Sequence, residues 1–318
     1  FNFSYSMKIL SKILVLLLTA GVSSSCLSHL KYDKTTGEIR LRPVVGLGTR
    51  SGEDFIPFPE DREFRVTAVS RDSGEKYLDD VIVKSRGARG WFPENSPQWP
   101  YDQSLTFAGY YPTDLQVTCD RECNLKIDSY TVEGKGIDIL LAKTDRAYTK
   151  NDSIVGFPFR HALTKMDFRV KQTLNLETRV KIQKIELCGI FRQGSYDSSA
   201  SPDWRSSGQK SDLTIFEADG EGVEVYKMSP SYLGGSWFVL PQDGGASIRV
   251  TFALSTAGSE WLGNQTVETP AVLKEWLSDR HYTYTLNIQG PGPDDTTGDP
   301  FVLKYTTGIS SWDERFSD

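Results

Sequence analysis

Along most of its length the chain is built from short stretches in which every second residue is apolar, and a period of two marks a strand with one buried face. Phe64-Arg65-Val66-Thr67-Ala68-Val69, Met166-Asp167-Phe168-Arg169-Val170, Ile248-Arg249-Val250-Thr251-Phe252 and Tyr282–Ile288 all alternate in this way. Leu105–Tyr110, Leu125–Ile127 and Ile137–Leu141 continue the rhythm in the first half. Near the start, Ile39, Leu41, Pro43, Val45 and Leu47 share one parity, and the other parity carries Glu38, Arg40, Arg42, Val44, Gly46 and Gly48. Apolar helical periodicity is rare. Ala271–Leu277, preceded by Thr269-Pro270, reads as a short helix with Thr269 as N-cap and Pro270 at its first position. A chain patterned like this is expected to be all-β, packed as sandwiches of short antiparallel strands.

Interruptions in the rhythm give the organisation. Val180–Leu187 shifts its apolar parity at Gln183-Lys184, which predicts a β-bulge. Asp197–Lys210, DSSASPDWRSSGQK, is polar and reads as an exposed loop. The most loop-like connection between the halves is Thr149–Ser153, which puts a domain boundary near Gly156. The expected division is a leader over 1–25, one sandwich over 26–156 and a second over 157–318.

The leader is read from a basic start at Lys8 and Lys12, an apolar run from Ile13 to Leu18 and small residues up to Ser25, the pattern of a secretory signal peptide. Phe1–Ser6 precede Met7 and are excluded from fold reasoning. The apolar run is too short to span a bilayer, which needs about 20 such residues. Cys26 follows the small residues as in a loose lipobox, with Ser23 where leucine is usual. It is read either as the diacylated first residue of an exported lipoprotein, held at a membrane surface by its acyl chains, or as an ordinary thiol beside the cut. A net charge of −6 and scattered Lys and Arg argue against a nucleic-acid partner.

No residue pattern nominates catalysis, a cofactor or a metal. The three histidines, His29, His161 and His281, have no second ligand at metal spacing and read as hydrogen-bonded structural residues. No Gly-x-Ser-x-Gly elbow occurs. Cys119 and Cys123 are separated by Asp-Arg-Glu and read either as a small disulfide across a turn or as two thiols, with Cys188 a buried small residue. Seven tryptophans raise a sugar-stacking reading, but residues such as Trp99, in Pro-Gln-Trp-Pro directly before a strand, read first as packing under loops.

Four motifs in order resemble the fimbrillins, pilus subunits of Bacteroidetes. PQWPYDQSLTFAGYYP (Pro97–Pro112), FRHALTKMDFRV (Phe159–Val170), WFVLPQ (Trp237–Gln242) and HYTYTLNI (His281–Ile288) carry the likeness, together with the lipobox and the terminal ISSWDERFSD. The resemblance implies two tandem transthyretin-like Greek-key β-sandwiches, no enzymatic activity, and export as a lipoprotein to the outer membrane and fimbrium. It further implies an arginine-specific protease that cuts after the first strand, and polymerisation with other subunits when a donor strand fills the emptied groove. Carried onto this chain, Cys26 is the lipidated residue and Arg50-Ser51 the cut. Ile39, Leu41, Val45 and Leu47 face the groove from the displaced strand, and Phe301, Leu303, Tyr305 and Ile309 form the donor face, with the Gly290–Pro300 loop giving that tail room to move.

Overall fold

The computed structural model describes residues 37–46, 56–175, 177–201, 203–256, 259–269, 275–292 and 298–312. The chain is all-β: among the described residues the sole helical turn is a 3-10 turn at Gly87–Arg89. In the first half β1 (Leu41–Val45), β2 (Ile56–Pro57), β3 (Phe64–Ser70), β4 (Lys76–Ser85), β5 (Trp91–Pro93) and β6 (Leu105–Tyr111) are followed by β7 (Thr118–Cys119) and β8 (Leu125–Thr131). Then come β9 (Leu140–Lys143), β10 (Val155–His161) and β11 (Thr164–Gln172). The second half continues with β12 (Thr178–Ile190), β13 (Gln193–Asp197), β14 (Trp204–Ser207), β15 (Ser211–Glu217) and β16 (Val223–Val225). It ends with β17 (Ser231–Val239), β18 (Ser247–Thr256), β19 (Leu262–Glu268), β20 (Arg280–Gln289) and β21 (Val302–Ser311).

The described residues pack into three cores. The first sheet runs β10-β9-β6-β3-β4-β5-β1, and because β1 also pairs with β10 it closes on itself. Alternate residues of these strands fill its interior, with Phe58, Phe64, Phe107, Phe157 and Phe159 as the bulk. In the second half the sheet β17-β11-β20-β21 faces β15-β12-β18-β19 across a core that includes Phe168, Ile185, Phe252 and Tyr284. The parity shift in β12 is a bulge, since Ile182 pairs with Phe252 but Lys184 with Thr251, so Val180 and Ile182 point inward before it and Ile185 and Leu187 after it.

The third core ties the halves together. β13 from the second half pairs with β8 from the first, making the sheet β14-β13-β8-β7. This sheet covers the outer face of the closed one, burying Tyr110, Leu125, Ile127, Trp204, Phe238 and Trp312 between them. Asp197–Lys210 is therefore not a free loop. It turns from β13 into β14, and Trp204 folds under it with its indole N–H donating to the Ala162 carbonyl at 2.7 Å. The polar composition reflects a two-stranded ribbon that offers few side chains to a core and the rest to water.

Gly156, near which the sequence reading places the boundary, lies inside β10, which pairs with β1 on one edge and β9 on the other. The expected helix at Ala271–Leu277 lies largely outside the described residues. Its described end, Glu275–Leu277, is not helical, and Trp276 exchanges two backbone hydrogen bonds with Gln242, at 2.9 and 3.1 Å.

One glycine is required by close packing. A Cβ on Gly109, in the middle of β6, would lie 2.3 Å from the Arg65 carbonyl oxygen and 2.8 Å from Cζ of Phe157. Backbone on one side and a fully buried ring on the other leave nothing cheap to move. Gly109→Ala is expected to destabilise the first unit by about 1–3 kcal/mol, read as a lower denaturant midpoint with an unchanged slope.

Candidate functional site

The seam at β1 is the place where the fold and the sequence meet most closely. Leu41–Val45 pair in parallel register with Val155–Phe159 of β10. On the opposite edge Leu41 meets Trp91 of β5, while Val44 and Val45 meet Pro57 and Ile56 of β2. Ile39, Leu41, Pro43 and Val45 are buried, Arg42 is exposed and Val44 half-buried, so the period of two is expressed as an inner and an outer face. Leu47 lies outside the described residues.

The proline sits in this strand without cost to the ladder. The Pro43 carbonyl accepts from the Phe58 N–H at 3.4 Å, on the β2 edge, while the bonds to β10 come from Arg40 O and Gly46 N. A residue's N and C=O point to the same side of a strand, so the N–H that proline lacks faces the gap between β5 and β2. The gap is where a strand tolerates proline.

Strand β1 therefore has a full partner on one edge and two partial ones on the other. Its inner side chains share a core with Phe58, Phe157 and Phe159, three rings within 5.3 Å of one another's centroids along the path Phe58–Phe159–Phe157. Nine residues connect Gly46 to Ile56 in sequence, and Arg50 and Ser51 are among them, outside the described residues, as is Cys26. On the outer face Arg42 and Val44 join Pro158, Arg160, Lys143 and Arg280 around an open cleft of about 1030 Å³.

The proposed donor segment is seated on its own neighbour. β21 is an edge strand paired with β20 at ten successive positions, from Val302 opposite Gln289 to Ser311 opposite Arg280. Leu303 is buried, and Phe301 and Tyr305 pack against the second-half core, but Ile309 points to solvent, 57 % exposed. Trp312 then enters the third core, stacked on His161 at 3.7 Å and on Phe238 at 5.3 Å. Residues 293–297 of the preceding loop lie outside the described set.

The remaining candidates take structural places. His161 bonds Asp138 and His281 bonds Asp167, each at 2.8 Å and each buried. Trp91, Trp204, Trp237, Trp276 and Trp312 are buried, so these five rings serve packing. Cys119 and Cys123 are thiols that each donate to a backbone carbonyl, Cys119 to Asp120 at 3.6 Å and Cys123 to Thr106 at 3.3 Å.

A family model described as fimbrillin-like matches residues 49–312, most of the chain. The chain belongs to the fimbrillin-like family. It is a family of fimbrial and adhesion proteins of the cell surface rather than of enzymes. The fold is similar to that of a fimbrial protein from Bacteroides vulgatus, at 14 % identity and a TM-score of 0.57, over 86 % of this chain and 99 % of that one. It is similar also to a cell adhesion protein from Parabacteroides distasonis, at 9 % identity and a TM-score of 0.55, over 88 % and 98 % of the two chains. A third, a cell adhesion protein from Bacteroides uniformis, shares 16 % identity with a TM-score of 0.53, over 87 % and 99 %. No curated protein matches the chain.

Sequence reasoning missed half of the seam of this fimbrillin-like protein. Phe157 and Phe58, which share the core with β1, were not distinguished from other apolar residues, and Phe159 was read only as the opening of a family motif. A signal was present, since Val155-Gly156-Phe157-Pro158-Phe159 places its three large residues on one parity.

Proposed function

We propose that this fimbrillin-like chain is a structural subunit of a cell-surface pilus, exported as a lipoprotein through Cys26 to the outer membrane, whose first strand is a placeholder. An arginine-specific protease cuts between Arg50 and Ser51, β1 departs, and a strand from another subunit takes its place between β10 and the β5/β2 edge. In this reading the first unit ends at Ala162-Leu163 and the second carries the potential donor, β21. The supporting observation is the position of β1 itself. It is short, covalently continuous with the Arg50 segment, and inserted between two edges that each present unpaired backbone groups once it is gone. Incoming backbone would restore those bonds, and apolar side chains at alternate positions would re-enter the sites of Ile39, Leu41 and Val45. A contact of this kind is head-to-tail and builds a filament.

The seat of β21 favours a terminal subunit, a tip, over a stalk. Ten paired positions and a buried Trp312 must be given up before β21 can be donated, whereas accepting a strand requires only the loss of β1. A second reading, an uncut lipid-anchored binding protein, draws on the cleft in which Arg42 of β1 stands beside Arg160 and Arg280. It predicts a monomer that keeps β1.

The deciding experiment treats the purified precursor with an arginine-specific protease. A new N-terminus at Ser51 and assembly into chains that resist dissociation are expected, and Arg50→Ala should abolish both. An Arg50→Ala chain that assembles as well as the parent, or a parent cut only elsewhere, refutes the placeholder mechanism.

A further inference from the structure

The turn between β7 and β8 is built around one carboxylate. Asp120 Oδ1 accepts from the backbone N–H groups of Glu122 and Asn124, at 2.9 and 2.8 Å, and the Cys123 N–H donates to the Asp120 carbonyl at 3.1 Å. The chain then reverses at Cys123, whose φ of +59° is in the left-handed region. Few non-glycine residues hold that conformation without a surrounding structure that fixes it. The reversal turns the Cys123 side chain into the third core, where its Sγ donates to the Thr106 carbonyl at 3.3 Å, and Cys119, whose Sγ donates to the Asp120 carbonyl at 3.6 Å, packs against the same core. Cys123 is buried in the third core, Cys119 is half-buried, and Arg121 between them extends into solvent with its side chain 79 % exposed.

We propose that Cys119 and Cys123 of the exported protein are oxidised to a disulfide that closes this turn around Arg121. A cell-surface family places the chain in a compartment where such bonds persist. The oxidant is a disulfide of an exchanging protein or small molecule. Cys119, the sulfur that solvent reaches, attacks it as thiolate, forming a mixed disulfide and expelling one oxidant sulfur as a thiol. Cys123, as thiolate, then attacks the Cys119 sulfur and the second oxidant sulfur leaves. Two thiol protons and two electrons pass from the pair to the oxidant, which ends as two thiols. Cys188 is a built-in contrast, a buried thiol pushed up to about 11 by desolvation.

The ring encloses an arginine, which gives the test its readout. The full chain, exported and purified without reductant, is denatured, alkylated and digested with an arginine-specific protease. The peptide ending at Arg121 and the peptide beginning at Glu122 are expected to stay joined, lighter by two hydrogens than the pair of thiols, and to separate when reductant is added. Cys188 is expected to be alkylated. Cys119→Ser should add one alkylatable thiol, at Cys123, without changing the export yield. Alkylation of both Cys119 and Cys123 in the unreduced sample overturns the proposal, and so does a bridge from either residue to Cys188 or to a second chain. The outcome is independent of whether Arg50 is cut.

Discussion

Phe159→Ala is expected to lower the stability of the first unit by about 3–5 kcal/mol, the range for emptying a buried aromatic site. The ring is fully buried, 5.1 to 5.2 Å from the centroids of Phe58, Phe64 and Phe157, and these neighbours belong to three different strands or their flanks. They cannot close the gap together, because Phe64 is fixed in β3 between β4 and β6 and Phe157 is two residues away on β10 itself. Most of the side chain's volume therefore remains as a cavity, and the loss includes the contacts of its lining as well as the transferred ring. Denaturant unfolding followed by near-ultraviolet signals should show the midpoint shift, while Tyr226→Ala, at a position 58 % exposed, should stay within about 0.5 kcal/mol of the parent. The same substitution tests the seam. If β1 is a placeholder, Phe159→Ala weakens the grip on the resident strand and on its replacement alike, so cutting becomes faster and assembly poorer. Unchanged stability would mean that Phe159 of β10 does not fill the core beside β1 as described.

How much of this was legible beforehand differs by residue. The inner face of β1 was legible because strand side chains alternate and the core on that side is continuous, so Ile39, Leu41 and Val45 had to be apolar whatever they paired with. The bulge in β12 was legible for the same reason, as a break in parity at Gln183. Partners were not legible. β1 and β10 are parallel and more than a hundred residues apart, and a parallel pairing leaves no turn in the sequence to announce it. β10 was further hidden by the Asp- and Asn-rich connection before it, which suggested a boundary where a strand begins. In β13–β14 the failure was of another kind. Those residues carry a sheet through backbone bonds while most of their side chains face water, so polarity concealed a structural element that joins the two halves. His161 and His281 hold hydrogen-bonded places, while His29 lies outside the described residues; the acid partner of His281 was invisible, since Asp167 is 114 residues away in sequence.

Asp167 carries the second large effect. It lies in β11 between Met166, opposite Trp237, and Phe168, opposite Leu233, where β17 bulges by the extra residues of Gly234–Ser236. There Oδ1 accepts from the Tyr232 hydroxyl and the Ser236 hydroxyl, and Oδ2 meets Nε2 of His281, all at 2.8 Å. Burial by itself would raise the carboxyl's pKa, but the hydrogen bonds from His281, Tyr232 and Ser236 outweigh it and hold the group at about 2, below its ordinary 3.8. Asp167→Ala removes the common acceptor of three donors from a site that is 12 % exposed, and is expected to cost about 3–5 kcal/mol at pH 7. The acid dependence gives an independent check. Because the folded protein binds this proton less readily than the unfolded chain, the unfolded state holds more protons between pH 4 and pH 2. The stabilisation is complete above about pH 4 and disappears as the pH falls through about 2, a contribution of about 2 kcal/mol from this group. Asp167→Asn keeps the volume and one acceptor oxygen but has no proton to gain. Its stability is expected to be lower than the parent's at pH 7 and to fall less steeply between pH 4 and pH 2, so that the two curves converge at the acid end. Other carboxylates titrate in the same window in both proteins, and the difference between the curves removes them. Parallel curves, offset by the same amount at every pH, would show that the Asp167 network stabilises the second half without depending on the charge.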